Sequence, residues 1–174
     1  MNISELESKT KQELLELITE LCDQNLEANV FVTNYFAEKN YNDEELEIIT
    51  KLNNKIELTQ TELDYITQRT SKRNNTSIKA LLNSKDKFIV FLVQHKIKLY
   101  FDFAWSHYPK KVGKQLSEKA FNKLLLNCKL RDLDETCKYI IKKIEEYAKK
   151  CITNNVEEQF IMHFSTFCNS KKYF

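Results

Sequence analysis

DLDETCKYIIKKIEEYAKK, residues 132–150, is the stretch that decides the fold. Its apolar side chains recur three and four residues apart, which is the spacing of one face of an α helix. Lysines and glutamates share the remaining positions, as on a solvated face. The N-cap is expected to be Asp132 or Asp134. The stretch therefore predicts an amphipathic helix whose inward side chains are Cys137, Ile140, Ile141, Ile144 and Tyr147.

Helical signals continue on both sides of this stretch. Downstream, the apolar residues between Val156 and Phe167 predict a final short helix. Upstream, Ser117 is expected to cap a helix, and Pro109 is expected to end the segment before it, because proline disfavours the α conformation in the preceding residue. Further upstream, Ser84 is expected to cap the apolar run 88–93. The β-branched residues of that run also suit a buried strand, but with no partner strand evident we predict helix.

The N-terminal part carries capping signals of its own. Thr10 and Glu13 form a candidate capping box that opens a long helix over about 11–38. Asn42 precedes an acidic first turn, which is typical of a helix start. Thr59 and Glu62 form a second candidate capping box, so the region to Ile66 is expected to contain two helices or one bent helix.

Composition supports an all-α fold. The chain has one glycine and one proline among its 174 residues. A many-stranded fold needs tight turns that depend on those two residue types, so the composition argues against such a fold. No apolar stretch is long enough to span a membrane, and the first residues lack the pattern of a secretory signal.

The five cysteines, from Cys22 to Cys168, include no Cys-x-x-Cys pair. Reduced thiols in the cytoplasm are the expectation, and a zinc site is not expected. A single glycine excludes a phosphate-binding P-loop, and no cluster of residue types suggests catalysis. We expect no cofactor, no metal and no enzymatic activity.

Charge divides the chain. Residues 1–80 hold 9 Lys/Arg and 15 Asp/Glu, a net of −6, whereas residues 81–174 hold 18 and 10, a net of +8. The polar segment 70–77 lies close to the change of sign and is the best candidate linker. The sequence therefore predicts an acidic N-terminal helical segment (1–80), for dimerisation or partner docking, followed by a small basic helical bundle (81–174) that can meet phosphate.

The basic part carries a motif at each end. The first, FDFAWSHYPKKVGK, spans residues 101–114, and the second, FIMHFSTFCN, spans residues 160–169 and precedes KKYF. Together they resemble a C-terminal module of phage and prophage DNA replication proteins of the replisome-organiser and helicase-loader type. The chain departs from that module's usual residues at Ala104, Phe164, Cys168 and Tyr173.

The resemblance implies a bacterial host, DNA (single-stranded or origin) as a partner, and a replicative helicase or other replication protein as a second partner. Homodimer formation through the acidic helices is the alternative to that second partner. Lysines neutralise phosphate and exposed aromatics stack on bases. The candidate DNA-binding residues are Trp105, Tyr108, Lys110, Lys111, Lys114, Lys119, Lys123, Lys171 and Lys172. For Trp105 and Tyr108 a role as core anchors is the alternative. A helical adaptor or inhibitor that binds a host protein without DNA is the alternative function.

Overall fold

The computed structural model describes residues 41–170 and Tyr173. The predicted helix over 11–38, its Thr10–Glu13 capping box and the lysines at 171 and 172 lie outside this part. The chain divides into two compact units, Met1–Glu57 and Leu58–Phe174. This boundary precedes residue 80, where the charge changes sign, so the functional division at 80/81 stays a prediction.

The described residues form α helices and no strand, as the sequence predicts. The seven α helices in this part of the chain are α1 (Asp43–Asn53), α2 (Gln60–Ser71), α3 (Ile78–Leu82), α4 (Lys87–His107), α5 (Lys114–Leu125), α6 (Leu133–Thr153) and α7 (Phe164–Asn169). Two short 3-10 turns, Leu130–Asp132 and Glu158–Phe160, precede α6 and α7.

Both predicted helix starts in the region 42–66 are confirmed. Asn42 caps α1 and forms a capping box with Glu45. Thr59 caps α2, and Glu62 returns a carboxylate to the Thr59 backbone N–H at 2.7 Å. Each box satisfies backbone donors that the first helical turn leaves without a partner, so local sequence alone fixes these two starts.

The apolar run 88–93 is helical and belongs to α4, as predicted. Its cap is Asp86 and not Ser84, because the Asp86 carboxylate accepts from the Ile89 backbone N–H at 3.2 Å. The Ser84 hydroxyl instead accepts from the Asp86 backbone N–H. Helix α4 ends at His107, two residues before Pro109, as predicted.

Two further helix boundaries differ from prediction. Helix α5 begins at Lys114, and Ser117 lies inside it, fully buried, with its hydroxyl donating to the Gly113 carbonyl. The predicted helix between Val156 and Phe167 is a 3-10 turn followed by α7 from Phe164. Both boundaries were predicted wrongly, because capping residues and apolar spacing do not determine which residues the packing of the core allows into the helix.

The polar segment 70–77 is part of the second unit and not a free linker. The carbonyls of Asn74 and Thr76 accept from the backbone N–H groups of Arg131 and Leu130. The first N–H groups of α3, at Ile78 and Lys79, donate to carbonyls just after α5. These bonds hold α3 against the end of α5.

The core of the second unit lies between α3, α4, α5, α6 and α7. Aromatic rings dominate its centre. Phe101 of α4 lies within 6 Å, between ring centroids, of Phe121 on α5 and Phe164 on α7. The fully buried aromatic residues are Phe88, Phe101, Tyr108, Phe121, Phe164 and Phe167. Their burial joins the two ends of the 101–169 region into one unit.

Candidate nucleic-acid interface

The turn after α4 is anchored in the core by Tyr108. Its side chain is 1% exposed, and its hydroxyl donates to the Met162 carbonyl at 2.8 Å. Burial raises the pKa of this hydroxyl above its ordinary value. A base cannot stack on a buried ring, so Tyr108 is a core anchor and is removed from the candidate DNA-binding residues.

Trp105 lies one turn earlier on α4 and is half-buried. Its ring packs against Phe101 and Phe164, at centroid distances of 6.0 and 5.7 Å. The core-anchor alternative therefore describes Trp105 better than base stacking does.

The three lysines around the turn occupy different environments. Lys110 is half-buried, whereas Lys111 is exposed and donates to the Ser106 carbonyl at the end of α4 at 2.7 Å. Lys114 forms a 2.9 Å ion pair with Asp102 of α4. Lys114 is thus paired with a carboxylate, which leaves less of its charge available to a phosphate, whereas the bond from Lys111 to a neutral carbonyl leaves its charge uncompensated.

Helix α5 carries Lys119 and Lys123 on its outer face. Its buried side is formed by Ser117, Ala120, Phe121 and Leu125. Because successive residues rotate by about 100° around a helix, positions 119 and 123 project from the opposite side. Both side chains are exposed, and neither forms an ion pair with any residue that the structure describes.

The N-terminus of α5 adds backbone donors to this surface. Gly113 occupies the cap position with φ of +71° and supplies no side-chain acceptor. Nothing lies within 4 Å of the position that a Cβ would take there. The first N–H groups of α5 therefore lack a side-chain cap, and helix N-termini of this kind favour anions. We call Lys110, Lys111, Lys114, Lys119 and Lys123 the α5 basic surface.

A groove between α4 and α6 was not anticipated from the sequence. It encloses about 510 Å³, and its apolar floor includes Leu99, Phe103 and Ile141. Leu99 and Phe103 are 55% and 50% exposed. Lys96, Lys138 and Lys142 line the rim together with Glu145. The spacing of Leu99 and Phe103, four residues apart on a helix, is the one local signal for this surface, and the apolar residues around them conceal it.

At the C-terminal end of α4 the groove meets an aromatic pair. The Phe103 and His107 rings lie 4.3 Å apart between centroids. The Ser106 hydroxyl is 2.9 Å from Nδ1 of His107, and the Ser106 carbonyl accepts from Lys111. The exposed aromatic pair is therefore next to the α5 basic surface.

A polar network closes the other end of the groove. Asp134 of α6 accepts from Lys96 at 2.9 Å and from the Tyr100 hydroxyl at 2.8 Å. Burial, followed by the bond to Asp134, raises the pKa of Tyr100 to about 12. This network ties α4 to α6 beside the groove.

His163 and the cysteines that the structure describes belong neither to the α5 basic surface nor to the lining of the groove. His163 is exposed and makes no side-chain bond to the start of α7. Cys128, Cys137, Cys151 and Cys168 are free thiols. Burial raises the pKa of Cys137 and of Cys168 to about 12, so both remain protonated and unreactive near neutral pH.

Across residues 41–170 and 173, no helix has the length and apolar character needed to cross a membrane. The same residues contain no group of three or more His, Cys, Asp or Glu side chains arranged to hold a metal ion.

The fold and surface define a small helical module with a lysine-rich face. Residues 96–171 match the family described as the Legionella vir region protein LvrA C-terminal domain. The match covers both quoted motifs, but its description names no replication protein. No curated protein and no solved structure matches the chain significantly.

Proposed function

We propose that the chain is a DNA replication accessory protein of a phage or other mobile element, acting in the bacterial cytoplasm. It binds DNA through the α5 basic surface and performs no catalysis. Its acidic N-terminal region dimerises or recruits a replicative helicase or another replication protein. The resemblance of residues 101–174 to phage replication modules motivates the biological setting.

One observation carries the DNA-binding part of this proposal. Lys110, Lys119 and Lys123 hold no carboxylate among the described residues and lie on one loop and the outer face of the helix that follows. They belong to a region, 81–174, with a net charge of +8. When a lysine without an internal partner neutralises a phosphate, counterions condensed on the DNA are released, and this release favours association.

The test is fluorescence anisotropy of the full chain with labelled single-stranded and duplex DNA at two salt concentrations. The informative variant is the triple substitution Lys110→Glu/Lys119→Glu/Lys123→Glu. Lys111 and Lys114 are left intact, because their bonds to Ser106 and Asp102 are structural. The triple variant is expected to lose at least tenfold in affinity and roughly two to three in the slope of log affinity against log salt.

A matched control carries the same change of net charge elsewhere. Lys72, Lys79 and Lys85 are exposed and lie outside the α5 basic surface. Their triple replacement by glutamate is expected to weaken binding far less. Equal losses in the two variants would mean that net charge alone attracts DNA, and unchanged affinity in the first variant would overturn the proposed site.

The second candidate function is a helical adaptor or inhibitor that binds a host protein. The half-exposed Leu99 and Phe103 favour it, since exposed apolar patches often mark protein contacts. A stoichiometric protein partner that persists after nuclease treatment, together with no DNA affinity at low salt, would select this function.

A further inference from the structure

We infer that the α4–α6 groove holds unpaired bases of single-stranded DNA, with Phe103 as the stacking residue. This inference rests on the proposed DNA-binding function and adds the form of DNA and the site that reads it. Proteins that bind single strands combine a cationic track for the phosphates with aromatic rings on which bases stack. The groove and the neighbouring α5 basic surface contain both elements.

The aromatic element is Phe103. Half of its surface is exposed although the side chain is apolar, and His107 covers part of it at a centroid distance of 4.3 Å. The rest of the ring faces the groove, whose floor continues through Leu99 and Ile141. A base placed there gains apolar contact and ring stacking without displacing any core side chain.

The cationic element comes from two parts of the fold. Lys111, in the turn after α4, is joined to the Phe103–His107 pair through Ser106. Lys138 and Lys142 of α6 line the groove together with Phe103. Lysines from both the turn and α6 are therefore available to the phosphates that flank a base stacked on Phe103.

Two lysines of the rim can bind a phosphate without losing a strong ion pair. Lys142 forms no ion pair with a described residue. Lys138 contacts Glu135 at 3.0 Å, but both side chains are mostly exposed, and exposed ion pairs of this kind contribute little. A phosphate can therefore replace Glu135 as the partner of Lys138. Lys96 is different, since it is bound by Asp134 within the network that closes the groove.

A duplex cannot use this site, because its bases are stacked on one another and its edges present no free ring face. The inference therefore predicts a preference for single strands that depends on bases. The lysines of the α5 basic surface, by contrast, contact phosphate in either form of DNA. This difference separates the inference from the proposed function that it extends.

The test compares three labelled ligands with the full chain: a thymidine oligonucleotide, an abasic strand of the same length, and a duplex. The variant is Phe103→Leu, which keeps an apolar side chain of similar size and removes the ring. Phe160→Leu is the control, since Phe160 is 73% exposed and does not line the groove. Phe103→Leu is expected to weaken binding to the thymidine strand at least fivefold and to leave abasic and duplex binding unchanged.

Each other outcome overturns the inference in a distinguishable way. One outcome is that Phe103→Leu binds the thymidine strand like the wild type while the Lys110/Lys119/Lys123 triple variant loses affinity. In that case the protein binds DNA, but the groove does not hold the bases. If Phe103→Leu weakens all three ligands equally, its effect is structural. If the wild type binds no ligand at low salt, the proposed function and the inference both fail, and the groove belongs to a protein partner.

Discussion

The Tyr108 hydroxyl donates to the backbone oxygen of Met162, 54 residues further along the chain. The backbone N–H of Met162 in turn donates to the Tyr147 hydroxyl at 2.9 Å. One peptide segment is thus held by two tyrosines whose rings stack with centroids 5.8 Å apart. These bonds join the turn after α4 to the segment that leads into α7.

Tyr108→Phe is expected to lower the free energy of unfolding by about 1–3 kcal/mol, because it leaves the Met162 carbonyl without its buried donor. Tyr139→Phe is the control, since Tyr139 is 50% exposed, and it should change stability by less than about 0.5 kcal/mol. Urea unfolding measures both values. A double-mutant cycle with Tyr147→Phe should show coupling, and strict additivity would contradict a shared role in holding Met162.

Asp86 combines a helix cap with two ion pairs, to Arg69 at 3.0 Å and to Arg73 at 2.8 Å. Asp86→Ala removes both functions and is expected to cost about 1–2 kcal/mol, mostly through the lost cap. Asp86→Asn keeps a capping oxygen and should cost about 0–1 kcal/mol. Unfolding at low and high salt separates the contributions, since the ionic part alone should shrink with salt. Equal losses in the two variants would show that the carboxylate charge outweighs the cap.

The ionisation of Asp134 makes the free energy of unfolding depend on pH. Burial, the largest single influence, opposes ionisation, but hydrogen bonds from Lys96 and Tyr100 outweigh it and hold the pKa below its usual 3.8. Because the folded-state pKa is lowered, the ionised Asp134 stabilises the fold. This contribution to stability is fully present above about pH 4 and is lost as the pH falls through the folded-state pKa. Asp134→Asn should therefore be less stable than the wild type near neutral pH, with the difference closing in acid.

Thermal unfolding across pH 2–7 measures the Asp134 effect. Tyr100→Phe removes one of the two donors and should reduce the same pH-dependent step. If the difference in thermal stability between the wild type and Asp134→Asn stays constant over this range, the network stabilises the fold through packing rather than charge.

Gly113 holds a left-handed conformation that L side chains rarely adopt, although space around it is open. Gly113→Val should therefore cost about 1–2 kcal/mol or more through backbone strain alone. Gly113→Asn should cost less, since asparagine tolerates this conformation. Circular dichroism melting compares the two. Equal stability of the valine and glycine proteins would mean that the loop adopts another conformation in solution.

Local signals in the sequence predicted much of the helical structure. The capping boxes at Asn42 and Thr59, the helical state of 88–93 and the helix end before Pro109 all depend on residues within about four positions of one another. The predictions that Ser84 and Ser117 cap helices are wrong. Nearby side chains and buried contacts decided that Asp86 caps α4 and that Ser117 lies inside α5.

The sequence by itself determined an all-α chain with a basic C-terminal part, since helix formation and net charge follow from local composition and spacing. Tertiary structure alone decided which polar and aromatic groups remain accessible. It buried Tyr108 against Met162, paired Lys114 with Asp102, and exposed Phe103 in a groove between two helices that are distant in sequence. Accessibility depends on which helices pack together, and that packing is set by non-local contacts that no short stretch of sequence encodes.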